Sequence, residues 1–177
     1  MILKISQHIM RFLILILLQV MVLNHIQFSG YINPYIYILF VLMLPVETPK
    51  WLLLVIAFAT GLTIDMFSSS GGIHAAASVV VAFARPGVLR LIAPRDGYES
   101  ETRLTPGAMG FKWFITYVSI LVTLHHITYF YVEVFRFSEF FVTLWKAILN
   151  SAFTIALIII GLYLFGRSSK RNERIIG

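Results

Sequence analysis

The chain has 177 residues, of which 59% are hydrophobic and only 12% are charged. A soluble domain carries about 25% charged residues, so this composition excludes water as the main solvent and favours one integral membrane domain over residues 1–177. The net charge is +6, but the basic residues flank apolar runs and form no stripe, which argues against binding to nucleic acid. Cysteine is absent, which excludes disulfides, a thiol nucleophile and a cysteine metal site.

Six apolar segments follow one another along the chain. A spanning helix needs about 20 residues, and the first, fourth, fifth and sixth segments reach that length easily. The second and third are short and adjoin prolines. A re-entrant pair is one interpretation of them, but Glu47 and Lys50 between them favour two spans. The sequence therefore predicts an all-α polytopic membrane protein with six transmembrane helices at Ile9–Phe28, Tyr31–Val46, Trp51–Phe67, Ile73–Ile92, Phe111–Phe135 and Thr143–Phe165.

The basic residues predict an orientation. With the N-terminus in the cytoplasm, 12 of the 14 Lys and Arg residues fall on the cytoplasmic side, all but Arg136 and Lys146, as the positive-inside rule requires. Both termini and the loop over Ala93–Gly110 are then cytoplasmic, and the prolines and glycines of that loop argue against a helix there. The first segment has the basic flank of a signal peptide, but no small-x-small cleavage site follows, so an uncleaved span is predicted.

A carboxylate at the end of the third segment is the first candidate for function. Asp65 closes an apolar run, and a carboxylate so close to hydrocarbon needs a partner or a water-filled cavity. Ala57, Gly61 and Asp65 are spaced by four and share a helix face that permits close approach of another helix. His74 and Ser78 repeat the spacing after a tight turn, so the two helices are expected to pack through these faces. The expected partners of the carboxylate are His74, Arg136 and Lys146.

A longer polar stripe follows the fifth segment. Its members are three or four residues apart, which is close to the seam spacing of packed helices: Thr116, Ser119, Thr123, His126, Tyr129 and Glu133. Small and polar residues of the sixth segment are expected to face it: Ala147, Asn150, Ser151 and Thr154. Because intramembrane polar groups usually face the interior, an internal seam is the favoured interpretation. A docking face for a partner helix and a small ligand pocket are the alternatives.

The chain shows no pattern of catalytic or metal-binding residues. His125 and His126 are adjacent and point to different helix faces, and neither HExxH nor GxSxG occurs. We therefore predict no catalytic residue, no metal and no cofactor. Arg85 and Arg90, late in the fourth segment, are expected to extend toward anionic headgroups. An electrostatic handle for a cytoplasmic partner is the alternative.

Several stretches together resemble one membrane family. The six short-looped spans, with NHIQFSGYINPYIYILF, the ETPKW turn, GLTIDMFSSSGGIHAAA and the LIAPRDGYE loop, resemble the MreD family of rod shape-determining proteins in its Bacteroidetes-type form. The resemblance covers about residues 9–166, most specifically Gly61–Ala77. It implies a non-enzymatic scaffold of the cell-elongation complex, among the lipids of the bacterial inner (cytoplasmic) membrane. Such a scaffold supports lateral peptidoglycan synthesis and rod shape.

The resemblance also implies partners and an alternative function. The direct partner is an MreC-like single-span protein, and indirect or weaker ones are a RodA-type glycosyltransferase, its transpeptidase partner and the MreB filament. A fold similar to the S-components of energy-coupling-factor transporters is implied as well, which leaves a vitamin-type transporter subunit as the alternative. The first span, RFLILILLQVMVL, lacks the alanine-rich stripe that couples such subunits. A lipid-modifying enzyme ranks third, because acidic metal-binding clusters are missing.

Overall fold

The computed structural model describes residues 2–25, 32–99, 102–135 and 139–176, with side chains for 6–25, 32–99, 102–135 and 139–163. The elements in these ranges are helical. The α-helices are α1 (Ile2–Met21), α2 (Leu39–Leu42), α3 (Lys50–Ser68), α4 (Ile73–Leu91), α5 (Pro106–Met109), α6 (Phe111–Val134) and α7 (Phe140–Ile176). Two short 3-10 helices cover Leu23–His25 and Ile36–Ile38.

Five helical stretches within the described ranges are long and apolar enough to cross a membrane: Ser6–His25, Lys50–Ser68, Ile73–Leu91, Phe111–Val134 and Phe140–Tyr163. They correspond to the first, third, fourth, fifth and sixth predicted segments, and they make the chain an all-α polytopic membrane protein. In α7 the helix continues to Ile176, past the predicted end of its span.

The predicted second transmembrane helix, Tyr31–Val46, is not confirmed as a helix of spanning length. Tyr31 lies outside the described residues, and the rest forms the 3-10 helix Ile36–Ile38, then α2. Those seven residues rise about 10 Å, against a hydrocarbon core of about 30 Å. Pro34 and Pro45 flank this piece, and a proline lacks the backbone N–H that a continuing helix needs. We call residues 33–45 the non-helical segment, because it contains two short helical pieces, Ile36–Ile38 and Leu39–Leu42, but no helix of spanning length.

The non-helical segment lies inside the bundle. The main packing pairs are α3 with α4, α4 with α6, and α6 with α7, and the 3-10 helix Ile36–Ile38 contacts α1, α3 and α7. Tyr37, Ile38, Val41 and Leu42 have no exposed surface. Irregular backbone at membrane depth is stable only where protein encloses it, so this burial is a precondition for the segment's conformation.

The contact between α3 and α4 is as close as the small residues predict. Ala57, Gly61 and Asp65 are buried on α3, and His74 and Ser78 are buried on α4. A Cβ atom added to Gly61 would lie 2.5 Å from the Cα of Ala75 and 2.5 Å from the carbonyl oxygen of His74. The predicted packing through these two faces is therefore confirmed.

The polar stripe of α6 is only partly internal. His126 and Tyr129 are buried, Ser119 and Thr123 are half-buried, and Thr116 and Glu133 are exposed. The prediction of one internal seam is thus wrong at both ends. The stripe averages about 3.4 residues per step whereas the helix turns every 3.6 residues, so it rotates by about 100° around the helix between its first and last members.

The loop over residues 93–110 contains a short helix that sequence reasoning excluded. Pro106 opens α5 at its first turn, where the missing N–H would be unpaired in any case. Leu104 beside it is buried and belongs to the main hydrophobic core. The loop is therefore packed onto the bundle near the start of α6.

Candidate functional site

Polar side chains from α1 and α7 bind the beginning of the non-helical segment. Oε1 of the buried Gln19 accepts the N–H of Ile36 at 2.9 Å, and Nε2 of the same side chain donates to the carbonyl oxygen of Pro34 at 3.0 Å. Because hydrocarbon offers no hydrogen bonds, such backbone groups must find partners inside the protein. Two more N–H groups are bound from α7: Asn33 donates to Oδ1 of Asn150, and Tyr35 donates to Oγ1 of Thr154 at 3.1 Å.

A buried arginine holds the other end of the segment. Arg85 is 1% exposed. Its guanidinium donates to the carbonyl oxygens of Leu44 and Pro45 and, from Nε, to the hydroxyl of Tyr117 at 2.8 Å. Tyr117 in turn donates to the carbonyl oxygen of Leu42 at 2.9 Å. The carbonyl groups of Leu42 and Leu44 lie at or just beyond the end of α2, where no further helical turn supplies N–H donors, and these two side chains donate to them.

The expectation that Arg85 extends toward headgroups is therefore wrong. Arg90, for which the same role was predicted, is exposed. The difference follows from which face of α4 each residue occupies: Arg85 points at the carbonyl groups of Leu44 and Pro45, which sequence spacing does not reveal. Arg11 contributes a similar bond from α1, from Nη1 to the carbonyl oxygen of Met43 at 3.4 Å.

Asp65 binds the start of the neighbouring helix. Its carboxylate, 5% exposed, accepts the N–H of His74 at 3.0 Å, the N–H of Ala75 at 2.9 Å and the hydroxyl of Ser70 at 2.6 Å. These N–H groups lie in the first turn of α4, where they lack intrahelical acceptors and where a negative charge is favoured.

One of the three predicted partners of Asp65 is confirmed. His74 is a partner through its backbone N–H, whereas its imidazole is hydrogen-bonded elsewhere. The pairing of Asp65 with Lys146 stays a prediction. Arg136 lies outside the described residues.

A buried cluster of aromatic and histidine side chains fills the space between the non-helical segment, α4 and α6. The hydroxyl of Tyr37 lies 2.7 Å from Nε2 of His125, 3.2 Å from Nδ1 of His74 and 3.2 Å from Oγ of Ser78. Tyr35 packs edge-on against His74, with 4.7 Å between ring centroids. Sequence reasoning missed Tyr37 and gave His125 no role. The burial of His125 could have been predicted from helix periodicity, because it shares a face of α6 with the apolar residues Phe114, Val118 and Leu121, which are all buried.

The predicted contact between α6 and α7 exists at one point of the stripe. Nε2 of His126 lies 3.1 Å from Oγ1 of Thr154, and its Nδ1 lies 2.9 Å from the carbonyl oxygen of Val122. The other expected partners on α7, Ala147, Asn150 and Ser151, are buried as well. Glu133 accepts a hydrogen bond from the hydroxyl of Tyr129 at 3.4 Å.

A cavity of about 370 Å³ and one of about 350 Å³ occur at opposite ends of the bundle. The smaller one, called here the outer cavity, lies where α1 ends and α4 begins. Its walls combine aromatic rings with amide and hydroxyl groups, and they include Gln19, Asn24, Tyr35, Phe67, His74 and Tyr129. Such a mixture suits a small polar ligand with a flat ring. No cluster of three or more His, Cys, Asp or Glu able to hold a metal ion occurs in the described part of the chain.

Comparison of the chain with protein-family models, curated proteins and solved structures finds no match. The arrangement of the side chains is therefore the basis for any functional conclusion beyond the sequence resemblance. It joins Asp65, Gly61, His74 and Ser78 at one interface and leaves Thr116 on the outer surface of α6.

Proposed function

We propose that the protein is a non-enzymatic scaffold of the bacterial cell-elongation complex, embedded in the cytoplasmic membrane, that binds an MreC-like single-span protein. One structural observation carries the proposal beyond the sequence resemblance. The buried polar side chains of α1, α4, α6 and α7 bind the protein's own irregular backbone or one another. These buried side chains thus stabilise the fold itself. A partner protein would therefore bind the outer surface of the helices.

The outer face of α6 is the docking face that we propose for the partner's helix. The face with Ala57, Gly61 and Asp65 is already covered by α4 and is not offered to a partner. Thr116 is exposed, and Ser119 and Thr123 are half-buried, so the neighbouring helices leave this part of α6 partly uncovered. Short hydroxyl side chains let a second helix approach closely and exchange hydrogen bonds with it, which lipid chains cannot do.

The path of the non-helical segment supports six crossings with both termini on one side. The segment begins beside Gln19 and Thr154 and ends beside Arg11 and Arg85. Gln19 and Arg11 lie eight residues apart on α1, a rise of about 12 Å. The segment thus returns the chain toward the end of the bundle where α1 begins, and α3 starts there. The 12 basic residues assigned to that side favour the cytoplasm.

Site-specific photocrosslinking in native membranes tests the docking face. A photoreactive residue at Ser119 should capture an MreC-like protein. The control position is Phe83, which is 78% exposed on α4 and should capture lipid. Depletion of the protein should also make rod-shaped cells round, because lateral wall synthesis fails. Unchanged cell shape after depletion, or equal capture of the partner from both positions, would contradict the proposal.

The outer cavity favours a second candidate, the substrate-binding subunit of a vitamin-type transporter. A volume of about 350 Å³ lies within the range of small-molecule sites, about 300–1,000 Å³. Tight stoichiometric binding of a vitamin by the purified protein, with an ATPase co-purifying from native membranes, would replace the scaffold with this function. A co-purifying MreC-like protein without bound vitamin would reject it.

A further inference from the structure

The larger cavity lies at the end of the bundle where α1 begins. Its volume is about 370 Å³, and it opens between the first turns of α1, the turn that follows the non-helical segment, and residues 102–105 of the loop before α6. The lining side chains that matter here are His8, Arg11, Glu47 and Arg103. None of them takes part in the buried cluster around Tyr37 or in the proposed docking face.

The charges in this cavity are unbalanced. Arg11 and Arg103 are close enough to repel each other, and both act on His8. The Nδ1 atom of His8 is buried without a hydrogen-bond partner among the described residues. Glu47 is the acidic member of the lining, so two guanidinium groups face one carboxylate. A bound anion would relieve the repulsion and accept hydrogen bonds from both guanidinium groups, which match phosphate oxygens in pairs.

The surroundings of the cavity select an amphiphilic anion. On α1 the exposed apolar residues that share a face with Arg11 are Ile14 and Leu18, three and seven residues further along the helix, which are 54% and 38% exposed. Acyl chains would lie along this face while a headgroup occupies the cavity. The volume equals that of about twelve water molecules, which accommodates a phosphodiester headgroup together with some water.

We infer that this cavity is a binding site for the phosphate headgroup of an anionic phospholipid, held by Arg11 and Arg103. The site is independent of the scaffold function, since it uses neither the docking face nor a protein partner. It fixes one lipid at the junction of α1, the turn over residues 43–47 and the loop. Basic pockets between membrane helices recognise anionic headgroups by the same chemistry.

Native mass spectrometry of the full chain in a neutral detergent tests the site. The probes are phosphatidylglycerol and phosphatidylcholine at equal concentration, and the parent protein should retain the anionic lipid preferentially. Arg103→Gln should weaken that binding about fivefold, the effect typical of one basic residue near a lipid surface. Arg95→Gln is the matched control, because Arg95 is exposed in the same loop and outside the cavity. It should bind like the parent.

A variant that should bind the lipid more tightly keeps the test independent of folding defects, because a misfolded protein would lose affinity. Glu47→Gln removes the opposing carboxylate and should tighten binding of phosphatidylglycerol. Equal weakening by Arg103→Gln and Arg95→Gln, or no gain from Glu47→Gln, would overturn the inference. Inorganic phosphate is the competitor that distinguishes a site for a lipid headgroup from a site for free phosphate. If millimolar phosphate displaces the lipid completely, the cavity is a site for free phosphate and the assignment to a lipid is wrong.

Discussion

Substitution of Gly61 by alanine tests the close contact between α3 and α4. The added Cβ would lie 2.5–2.6 Å from backbone atoms of His74 and Ala75, whereas carbon atoms pack at about 3.5–4.0 Å. Backbone atoms cannot rotate away as a side chain does. The two helices must therefore separate by about 1 Å at this point.

The separation also acts on the hydrogen bonds one turn further along α3. The bonds from the N–H groups of His74 and Ala75 to Asp65 are 3.0 and 2.9 Å long, and an extra ångström takes them past the limit of a useful bond. Overpacking costs about 1–3 kcal/mol, and the two lost bonds add about 1 kcal/mol each. We expect Gly61→Ala to lower the free energy of unfolding by about 3–5 kcal/mol.

The assay is reversible unfolding of the purified protein in micelles, followed by helical circular dichroism. Gly87→Ala is the matched control: Gly87 lies within α4, and an added Cβ there meets no atom within 4 Å. It should leave stability unchanged or raise it by up to about 1 kcal/mol, because alanine is the better helix former. If both variants unfold like the parent, the close contact between α3 and α4 does not limit stability and the reasoning fails.

Three further expectations concern buried charge and orientation. Asp65→Leu leaves two buried N–H groups without an acceptor and should lower the free energy of unfolding by about 2–5 kcal/mol in the same assay. The control Glu139→Leu, at an exposed position, should change that free energy by less than about 0.5 kcal/mol. Equal losses for the two variants would make Asp65 an ordinary interfacial carboxylate. Arg85→Lys keeps the charge but loses the planar fork that reaches two carbonyl groups and a hydroxyl, so a loss of about 1–3 kcal/mol is expected; parent-like stability would show that charge alone suffices. In intact cells an impermeant thiol reagent should label Ser69→Cys, but it should reach Asp96→Cys only after lysis. Both residues are exposed, and they lie at opposite ends of the bundle. The reverse labelling pattern would reject the orientation.

The sequence predicted the class of the fold and the packing of α3 on α4, together with one point of the contact between α6 and α7. Apolar length and low charge are properties of the chain itself, so the long helices could be placed within a few residues. The packing of α3 on α4 was also predictable, because the tight turn after Asp65 makes the two helices sequence neighbours. Gly61 and Asp65 then share one face by helix periodicity alone.

The non-helical segment was decided by the tertiary structure. Its residues are as apolar as those of a spanning helix, and hydropathy does not distinguish a helix from irregular backbone that the protein encloses. What permits the irregular path is the set of donors and acceptors on other helices, above all Gln19, Arg85, Tyr117 and Thr154. Those partners are up to about 120 residues away in the chain, beyond the reach of any local pattern.

The roles of the individual polar residues depended on the same long-range contacts. Arg85 and Arg90 look alike in the sequence, yet one is enclosed and the other is exposed. The stripe from Thr116 to Glu133 looks like one seam, yet it is exposed at both ends and buried only at His126 and Tyr129. Periodicity states which residues share a helix face, but burial depends on what packs against that face. In hydrocarbon, backbone groups without hydrogen-bond partners must be paired by the protein, so polar side chains beside such a segment are buried against it.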